Sequence, residues 1–110
     1  MELELKQVRN TLLVRIRGEM DMVVAEKLRK EIDRKLDTKK VSNLVINLEE
    51  VTFIDSSGLG VIIGRFKKIS GLNGKMYLVG ARPQVHKILM FSGINRLVSM
   101  YNNEQDIINI

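Results

Sequence analysis

Two adjacent serines followed by two glycines are the residues of this chain whose types and spacing could do chemistry. They belong to the run Asp55-Ser56-Ser57-Gly58-Leu59-Gly60, between an apolar segment that ends at Ile54 and an amphipathic segment that begins at Leu59. The pattern places both hydroxyls at a strand-to-helix turn, where the first backbone N–H groups of a helix are free. A hydroxyl there could cap the helix, act as a nucleophile or accept a phosphate.

The nucleophile role has the least support from the surrounding residues. A serine hydrolase presents its nucleophile in a Gly-x-Ser-x-Gly turn, with an acid and a histidine later in the chain. Here Ile54 stands where the first glycine is needed, and the single histidine, His86, lies in a predicted helix between Val85 and Lys87. The pattern favours a surface histidine, and we predict that the protein is not an enzyme.

The glycines could also form a dinucleotide-binding loop, but their spacing does not fit one. Gly58, Gly60 and Gly64 are spaced Gly-x-Gly-x-x-x-Gly, one residue longer than the fingerprint, and they follow the third predicted strand instead of the first. Small residues also allow a helix to pack closely on a sheet. We therefore predict no bound cofactor, with a nucleotide- or small-ligand-binding domain as an alternative.

Phosphorylation fits the turn better than either role. A phosphate on Ser56 or Ser57 would add about −1.5 to −2 charges, which the N-terminus of a helix tolerates. Asp55 would present a second negative charge to any partner. A penalty of about 3 kcal/mol would weaken binding roughly 100-fold and leave the fold intact. The residues alone leave open the alternative that the serines only cap the helix.

Composition limits the class of protein. The 110 residues are 45% hydrophobic and 28% charged, which predicts one globular domain over residues 1–110. Without cysteine and with one histidine, the chain is expected to have no disulfide and no Cys- or His-based metal site. No apolar run approaches the ~20 residues of a membrane helix, and the N-terminus lacks the features of a signal peptide. We predict a cytoplasmic protein without membrane association.

The net charge of +5 could suit an acidic partner. The basic residues are interleaved with acids, however, and two Tyr, three Phe and no Trp provide no aromatic ladder for stacking bases. We predict no direct nucleic-acid binding, and we expect the charge to complement an acidic patch on a protein partner.

Alternating strand and helix patterns predict how the serine turn is positioned. The order is ββαβαβαβα, an α/β fold with a small mixed, mostly parallel sheet flanked by helices. Asp21 is the expected N-cap of the first helix. Arg65, Lys67 and Lys68 are expected to face water, and no large apolar face is expected to remain after the helices dock. The predicted strands are 2–8, 11–17, 44–48, 76–79 and 97–100, and the predicted helices are 24–36, 59–69, 83–93 and 103–108.

Residues 53–65, Phe-Ile-Asp-Ser-Ser-Gly-Leu-Gly-Val-Ile-Ile-Gly-Arg, closely resemble the phosphorylation segment of the STAS-domain anti-sigma factor antagonists, and most closely their sporulation members. The resemblance covers essentially the whole chain. Gly-Glu-Met-Asp at 18–21 is similar to the family's Gly-Glu-Leu-Asp before the first helix, 44–49 to its central strand and 91–94 to its late helix end. After that Asp, Met22-Val23 replace residues that are often more polar in the sporulation proteins.

The resemblance implies a phosphorylation switch on a non-catalytic binding protein. The unphosphorylated form would bind an anti-sigma factor, itself a serine kinase of the histidine-kinase-like ATPase class, and release the sigma factor. That kinase would use ATP to phosphorylate Ser56, and a PP2C-type phosphatase would reverse the reaction. Regulation of a sporulation sigma factor is favoured, with a general-stress regulator as the alternative. Arg65 is a weaker candidate for partner contact, and the implied partner surface consists of Asp21, Asp55, Ser57, Gly58, Leu59 and Gly60.

Overall fold

The computed structural model describes residues 2–107, which form a mixed sheet with its strands in the order β1-β2-β3-β4-β5. β1 pairs with β2 in an antiparallel hairpin, and β2, β3, β4 and β5 pair in parallel with one another in succession. The predicted mixed, mostly parallel α/β fold is confirmed. The strands are β1 (Glu2–Val8), β2 (Thr11–Met20), β3 (Asn43–Ile54), β4 (Met76–Val79) and β5 (Ser99–Tyr101).

Three α-helices connect or follow these strands. Within residues 2–107, no helix has both the length and the apolar character that crossing a membrane requires. Short 3₁₀ helices follow α3 and β5. The helices are α1 (Met22–Leu36), α2 (Ser56–Gly71) and α3 (Pro83–Ser92), and the 3₁₀ helices are Ile94–Arg96 and Glu104–Ile107.

The core lies between the sheet and the helices, and β3 is central to it. β3 pairs in parallel with β2 on one side and β4 on the other, with Leu44 opposite Leu12 and Ile46 opposite Val14. These side chains are fully buried and form one cluster with the inner faces of α1, α2 and α3. A strand covered on both faces is nearly all apolar, which is why the sequence of β3 indicated its central position.

Two strands are longer than predicted, and the extension decides where the serine turn lies. β2 was expected to end at Arg17, but it continues to Met20 because shifts in register on either side of Arg17 preserve its pairing with β3. Gly18 adopts a φ of 102°, a conformation that glycine reaches without steric cost. β2 and β3 therefore end side by side, with Met20 opposite Ile54.

The predicted elements at the end of the chain are also shifted. The last strand is Ser99–Tyr101 instead of 97–100, since Leu97 follows a 3₁₀ turn and precedes the pairing with β4. Asn103 caps the final segment as predicted, accepting a hydrogen bond from the Asp106 N–H at 3.1 Å. That segment is a 3₁₀ helix, and its expected end at Ile108 lies outside the described residues.

The last 3₁₀ helix is held to the sheet by Glu104. Its carboxylate accepts two hydrogen bonds from Arg15, at 2.9 and 2.8 Å, and one from the Asn47 amide at 2.6 Å. The hydrogen bonds from Arg15 are the main cause that holds the pKa of Glu104 below its usual value of 4.5, although burial opposes them. The ionised form of Glu104 therefore stabilises the fold.

Glu104→Gln is expected to lower the free energy of unfolding at pH 7 by about 1 kcal/mol. Because the pKa of Glu104 is depressed in the folded state, its contribution is present above the unfolded value and is lost as the pH falls through the folded value. Denaturant titrations should show a difference in the free energy of unfolding between wild type and variant, and this difference should become smaller as the pH falls below 4.5. A difference in the free energy of unfolding that does not change with pH would contradict the stabilisation of the fold by ionised Glu104.

Candidate functional site

The serine turn lies at the carboxyl edge of the parallel strands, where two helices begin side by side. Asp21 follows β2 and caps α1, with its Oδ1 accepting a hydrogen bond from the Val24 N–H at 3.0 Å. Asp55 follows β3 and caps α2, with its Oδ1 accepting one from the Gly58 N–H at 3.1 Å. The Asp55 N–H also donates to the Met20 carbonyl oxygen at 3.3 Å, which ties the two turns together. Residues 34 positions apart in the chain thus form one surface.

Ser56 is the first residue of α2, and its side chain is exposed at this edge. Its hydroxyl has no hydrogen-bond partner within residues 2–107, whereas Ser57 beside it is half-buried. Asp55 provides the cap, so the alternative that the serines serve only as helix caps is wrong. An accessible hydroxyl at a helix start suits a group that receives a phosphate, because the adjoining backbone N–H groups and the helix dipole favour added negative charge.

The two glycines behind the serines have different roles. Gly58 is buried, and a Cβ at that position would lie 2.7 Å from Cγ1 of Ile54 and 3.2 Å from both Cβ and O of Met20. Gly60 is exposed, and a Cβ there would have no neighbour within 4 Å. Gly58 therefore allows α2 to approach the ends of β2 and β3, while Gly60 belongs to the exposed part of the surface. Leu59 between them is half-buried.

Arg65 was predicted to face water, but it is buried. Its side chain is 8% exposed, and its Nε lies 3.0 Å from Oδ1 of Asp33, whose side chain is 14% exposed. Asp33 also lies 3.3 Å from Nζ of Lys68 and 3.6 Å from Nη1 of Arg29. Burial lowers the pKa of the Arg65 guanidinium, and the charge of Asp33 opposes that shift. Arg65 thus links α2 to α1 inside the protein and is not available to a partner.

Charge is distributed unevenly between the two ends of the sheet. Exposed Glu19 and Glu49 accompany the two capping aspartates at the carboxyl edge. Lys39, Lys40 and Lys75, all exposed, precede β3 and β4 at the opposite edge. Exposed Arg82 at the start of α3 lies at the same carboxyl edge, so the serine surface carries both signs of charge. The expected match between the net charge of +5 and an acidic patch on a partner stays a prediction.

Apolar side chains are also exposed near the serine turn, contrary to the expectation that no large apolar face remains. Met22 and Val23 at the start of α1 are 69% and 74% exposed. Phe53 near the end of β3 and Phe91 on α3 are exposed as well. These side chains are exposed because they lie at the ends of their elements or on sides that no other described element covers.

His86 is exposed on α3, as predicted, and its side chain makes no hydrogen bond to a serine or carboxylate of the described chain. Residues 2–107 contain no cluster of three or more His, Asp or Glu that could hold a metal ion. The arrangement at the carboxyl edge is that of an exposed hydroxyl on a binding surface.

This fold, with a serine turn at the edge of parallel strands, is the STAS domain: the family's model matches residues 2–107, and the chain belongs to that family. The Anti-sigma F factor antagonist of Paenibacillus polymyxa is 35% identical over 104 residues, which cover 94% of this chain and 89% of that protein. The predicted resemblance to anti-sigma factor antagonists is confirmed. A second Anti-sigma F factor antagonist, from Lysinibacillus sphaericus, is 32% identical over 108 residues, and the regulatory role in both names agrees with the predicted non-catalytic function.

Solved structures of SpoIIAA share the architecture. Unphosphorylated SpoIIAA, an anti-sigma factor antagonist, superimposes with a TM-score of 0.89 and 29% identity, covering 98% of this chain and 94% of that one. The Bacillus cell fate determinant SpoIIAA in its phosphorylated form gives a TM-score of 0.81 and 28% identity, covering 98% and 97%. The same fold thus exists in both phosphorylation states of a homologous protein.

Proposed function

We propose that this protein is an anti-sigma factor antagonist switched by phosphorylation of Ser56. The unphosphorylated protein binds an anti-sigma factor that is a serine kinase, and the sigma factor is released in the cytoplasm. The kinase uses ATP to phosphorylate Ser56, and a PP2C-type phosphatase removes the phosphate. The antagonist itself holds no cofactor. The observation that carries the proposal is the exposed Ser56 hydroxyl at the start of α2, beside the capping carboxylates of Asp21 and Asp55.

Electrostatics at the serine turn supports this mechanism. A phosphate on Ser56 would add about −1.5 to −2 charges at a helix start, where the dipole and free N–H groups stabilise it. The fold would therefore persist. The partner would meet that charge together with those of Asp21 and Asp55, and a penalty of about 3 kcal/mol weakens binding roughly 100-fold.

The proposed pathway is sporulation. It is supported by the 35% identity to a protein that antagonises an anti-sigma F factor and by the likeness to SpoIIAA, a cell fate determinant. The proposed partner surface consists of the exposed or half-buried residues Asp21, Asp55, Ser57, Leu59 and Gly60, with Gly58 supporting them from below.

Incubation with the anti-sigma factor kinase of the same organism and ATP should add one phosphate to the wild-type protein, as measured by intact mass. Ser56→Ala should take none. Ser57→Ala is the matched control and should still take one phosphate on Ser56 at completion, because the Ser57 hydroxyl is not the acceptor, even if a change on the partner surface slows the reaction. Phosphate on the Ser56→Ala variant would overturn the site assignment.

Ser56→Asp is expected to fold like the wild type and to bind the anti-sigma factor about 100-fold more weakly. The acidic side chain suits the first position of α2, so circular dichroism and the unfolding midpoint should be unchanged. Calorimetry or surface plasmon resonance gives the affinity. Binding as tight as that of the wild type would contradict the charge mechanism.

A further inference from the structure

An apolar groove lies between the first turn of α2 and the outer face of α3. Its volume is about 790 Å³, and its apolar lining comes from Leu59, Pro83, Ile88 and Phe91, with Gln84 and Lys87 among the polar lining residues. Phe91 is 96% exposed, so its aromatic ring is in contact with solvent. Single exposed apolar residues are common, but a contiguous apolar surface around a concavity is typical of a binding site.

The groove is continuous with the serine surface. Leu59 lines it and lies three residues after Ser56, so the two face the same side of the first turn of α2. α3 follows β4, which is parallel to β3, and therefore also begins at the carboxyl edge of the sheet. Arg82, which precedes α3, donates from Nε to the Glu49 carbonyl oxygen at 2.9 Å and ties that helix start to the middle of β3, just beyond its pairing with β4. A protein that binds over Ser56 would therefore also contact the groove.

The lining chemistry indicates what would bind. Small-molecule sites combine an apolar pocket with polar groups that converge on the ligand. Here Gln84 and Lys87 are exposed, and the hydroxyl of Ser92 is already bonded to the Leu89 carbonyl oxygen at 2.7 Å. The groove thus offers apolar contact area with little polar recognition, as the central pockets of protein interfaces do.

We infer that this groove is the apolar half of the surface that receives the anti-sigma factor, and that it accommodates apolar side chains of that partner. The inference rests on the proposed function and deepens it. The charged turn around Ser56 would control association, and burial of Phe91 and Leu59 would supply much of the affinity. Phosphorylation would then act at one side of a larger interface.

Phe91→Ser tests the inference by binding measurements against the anti-sigma factor kinase. The variant should bind at least tenfold more weakly, because a central aromatic residue commonly dominates interface affinity. Its unfolding midpoint should be unchanged, since the side chain makes few contacts within the protein. Leu97→Ser is the matched control, as Leu97 is 47% exposed and lines a different concavity with Phe66 and Tyr101. Its binding should equal that of the wild type.

Ser56→Asp in the same assay separates the two proposals. If Ser56→Asp loses binding and Phe91→Ser does not, the groove inference is wrong while the proposed function stands. If Ser56→Asp binds as tightly as wild type, the proposed function is wrong and the groove inference falls with it.

The absence of cysteine allows a direct test of the occupant. Lys87→Cys, labelled with a polarity-sensitive fluorophore, should show a blue shift when the kinase is added and none for the same label in Leu97→Cys. No shift with the kinase would overturn the inference. A shift that instead grows with the concentration of the labelled protein alone would identify a second copy of the chain as the occupant, and would also overturn it.

Discussion

Asp33→Ala is expected to lower the free energy of unfolding by about 3 kcal/mol or more, the largest loss of stability expected from removing one carboxylate here. The substitution leaves the buried Arg65 guanidinium without its neutralising partner, while Lys68 and Arg29 stay nearby. The Asp33–Arg65 contact is close but poorly aligned, because neither Arg65 Nε nor Asp33 Oδ1 completes a hydrogen bond. The expected loss therefore comes from the unpaired charge more than from a lost hydrogen bond.

Urea unfolding at neutral pH measures this effect. The double variant Asp33→Ala with Arg65→Met should recover most of the loss, since an apolar side chain of similar length can replace a buried ion pair. Glu26→Ala is a matched control on α1, because it removes a carboxylate that pairs with Arg29 in solvent. Its unfolding midpoint should match that of the wild type. An Asp33→Ala protein as stable as the wild type would show that Arg65 finds water or another partner.

Gly58→Ala is expected to destabilise the protein by about 1–3 kcal/mol even though alanine is the better helix former. The added methyl group would lie 2.7 Å from Cγ1 of Ile54 and 3.2 Å from the Met20 backbone oxygen. Neither neighbour is the free end of a flexible side chain, so α2 must shift away from the strand ends. That shift would move Ser56, and weaker binding to the anti-sigma factor should accompany the loss of stability.

Gly60→Ala provides the control on the same helix. A methyl group there has no neighbour within 4 Å, and the helix gains up to about 1 kcal/mol from the lower backbone entropy of the unfolded chain. Thermal or urea unfolding should therefore show that Gly58→Ala lowers the stability of the protein and that Gly60→Ala raises it. Equal changes in stability would mean that helix propensity determines the effect of both substitutions, and that the packing of α2 against the strand ends does not.

These variants connect stability to the proposed switch. The Asp33–Arg65 contact joins the middle of α1 to α2, and Gly58 sets the distance from α2 to the strand ends. Both features position the helix starts that carry Asp21 and Asp55. A phosphate on Ser56 would change a surface whose supporting contacts lie below it, so charge can be added without repacking the core.

Several features of the site could be predicted because their causes are local. Asp21 precedes an amphipathic run and caps α1 as expected, since its carboxylate accepts a hydrogen bond three residues along the chain. The apolar run at 44–48 indicated a strand buried on both faces. The cap of α2 was less certain from sequence, because Asp55, Ser56 and Ser57 are all good capping residues, and geometry selected Asp55.

Other features depended on distant parts of the chain. Arg65 was expected to face water together with Lys67 and Lys68, outside the apolar stripe of α2, but Asp33 on another helix makes its burial possible. The exposure of Phe91 was missed because a helix pattern shows which residues are apolar and not which of them another element covers.

The sequence by itself determined the α/β class, the Asp21 cap of the first helix and the position of the serine turn, because hydrophobic periodicity and capping act over a few residues. It placed the start of α2 at Leu59, three residues after its actual start at Ser56. It also carried the family resemblance around Ser56. Only the tertiary structure decided that Asp21 and Asp55 share one edge, that Gly58 packs against Ile54 and Met20 at the strand ends, and that Phe91 lines a groove next to the serine turn. Those relations follow from the parallel pairing of β2, β3 and β4, which aligns the carboxyl ends of strands that are far apart in the chain.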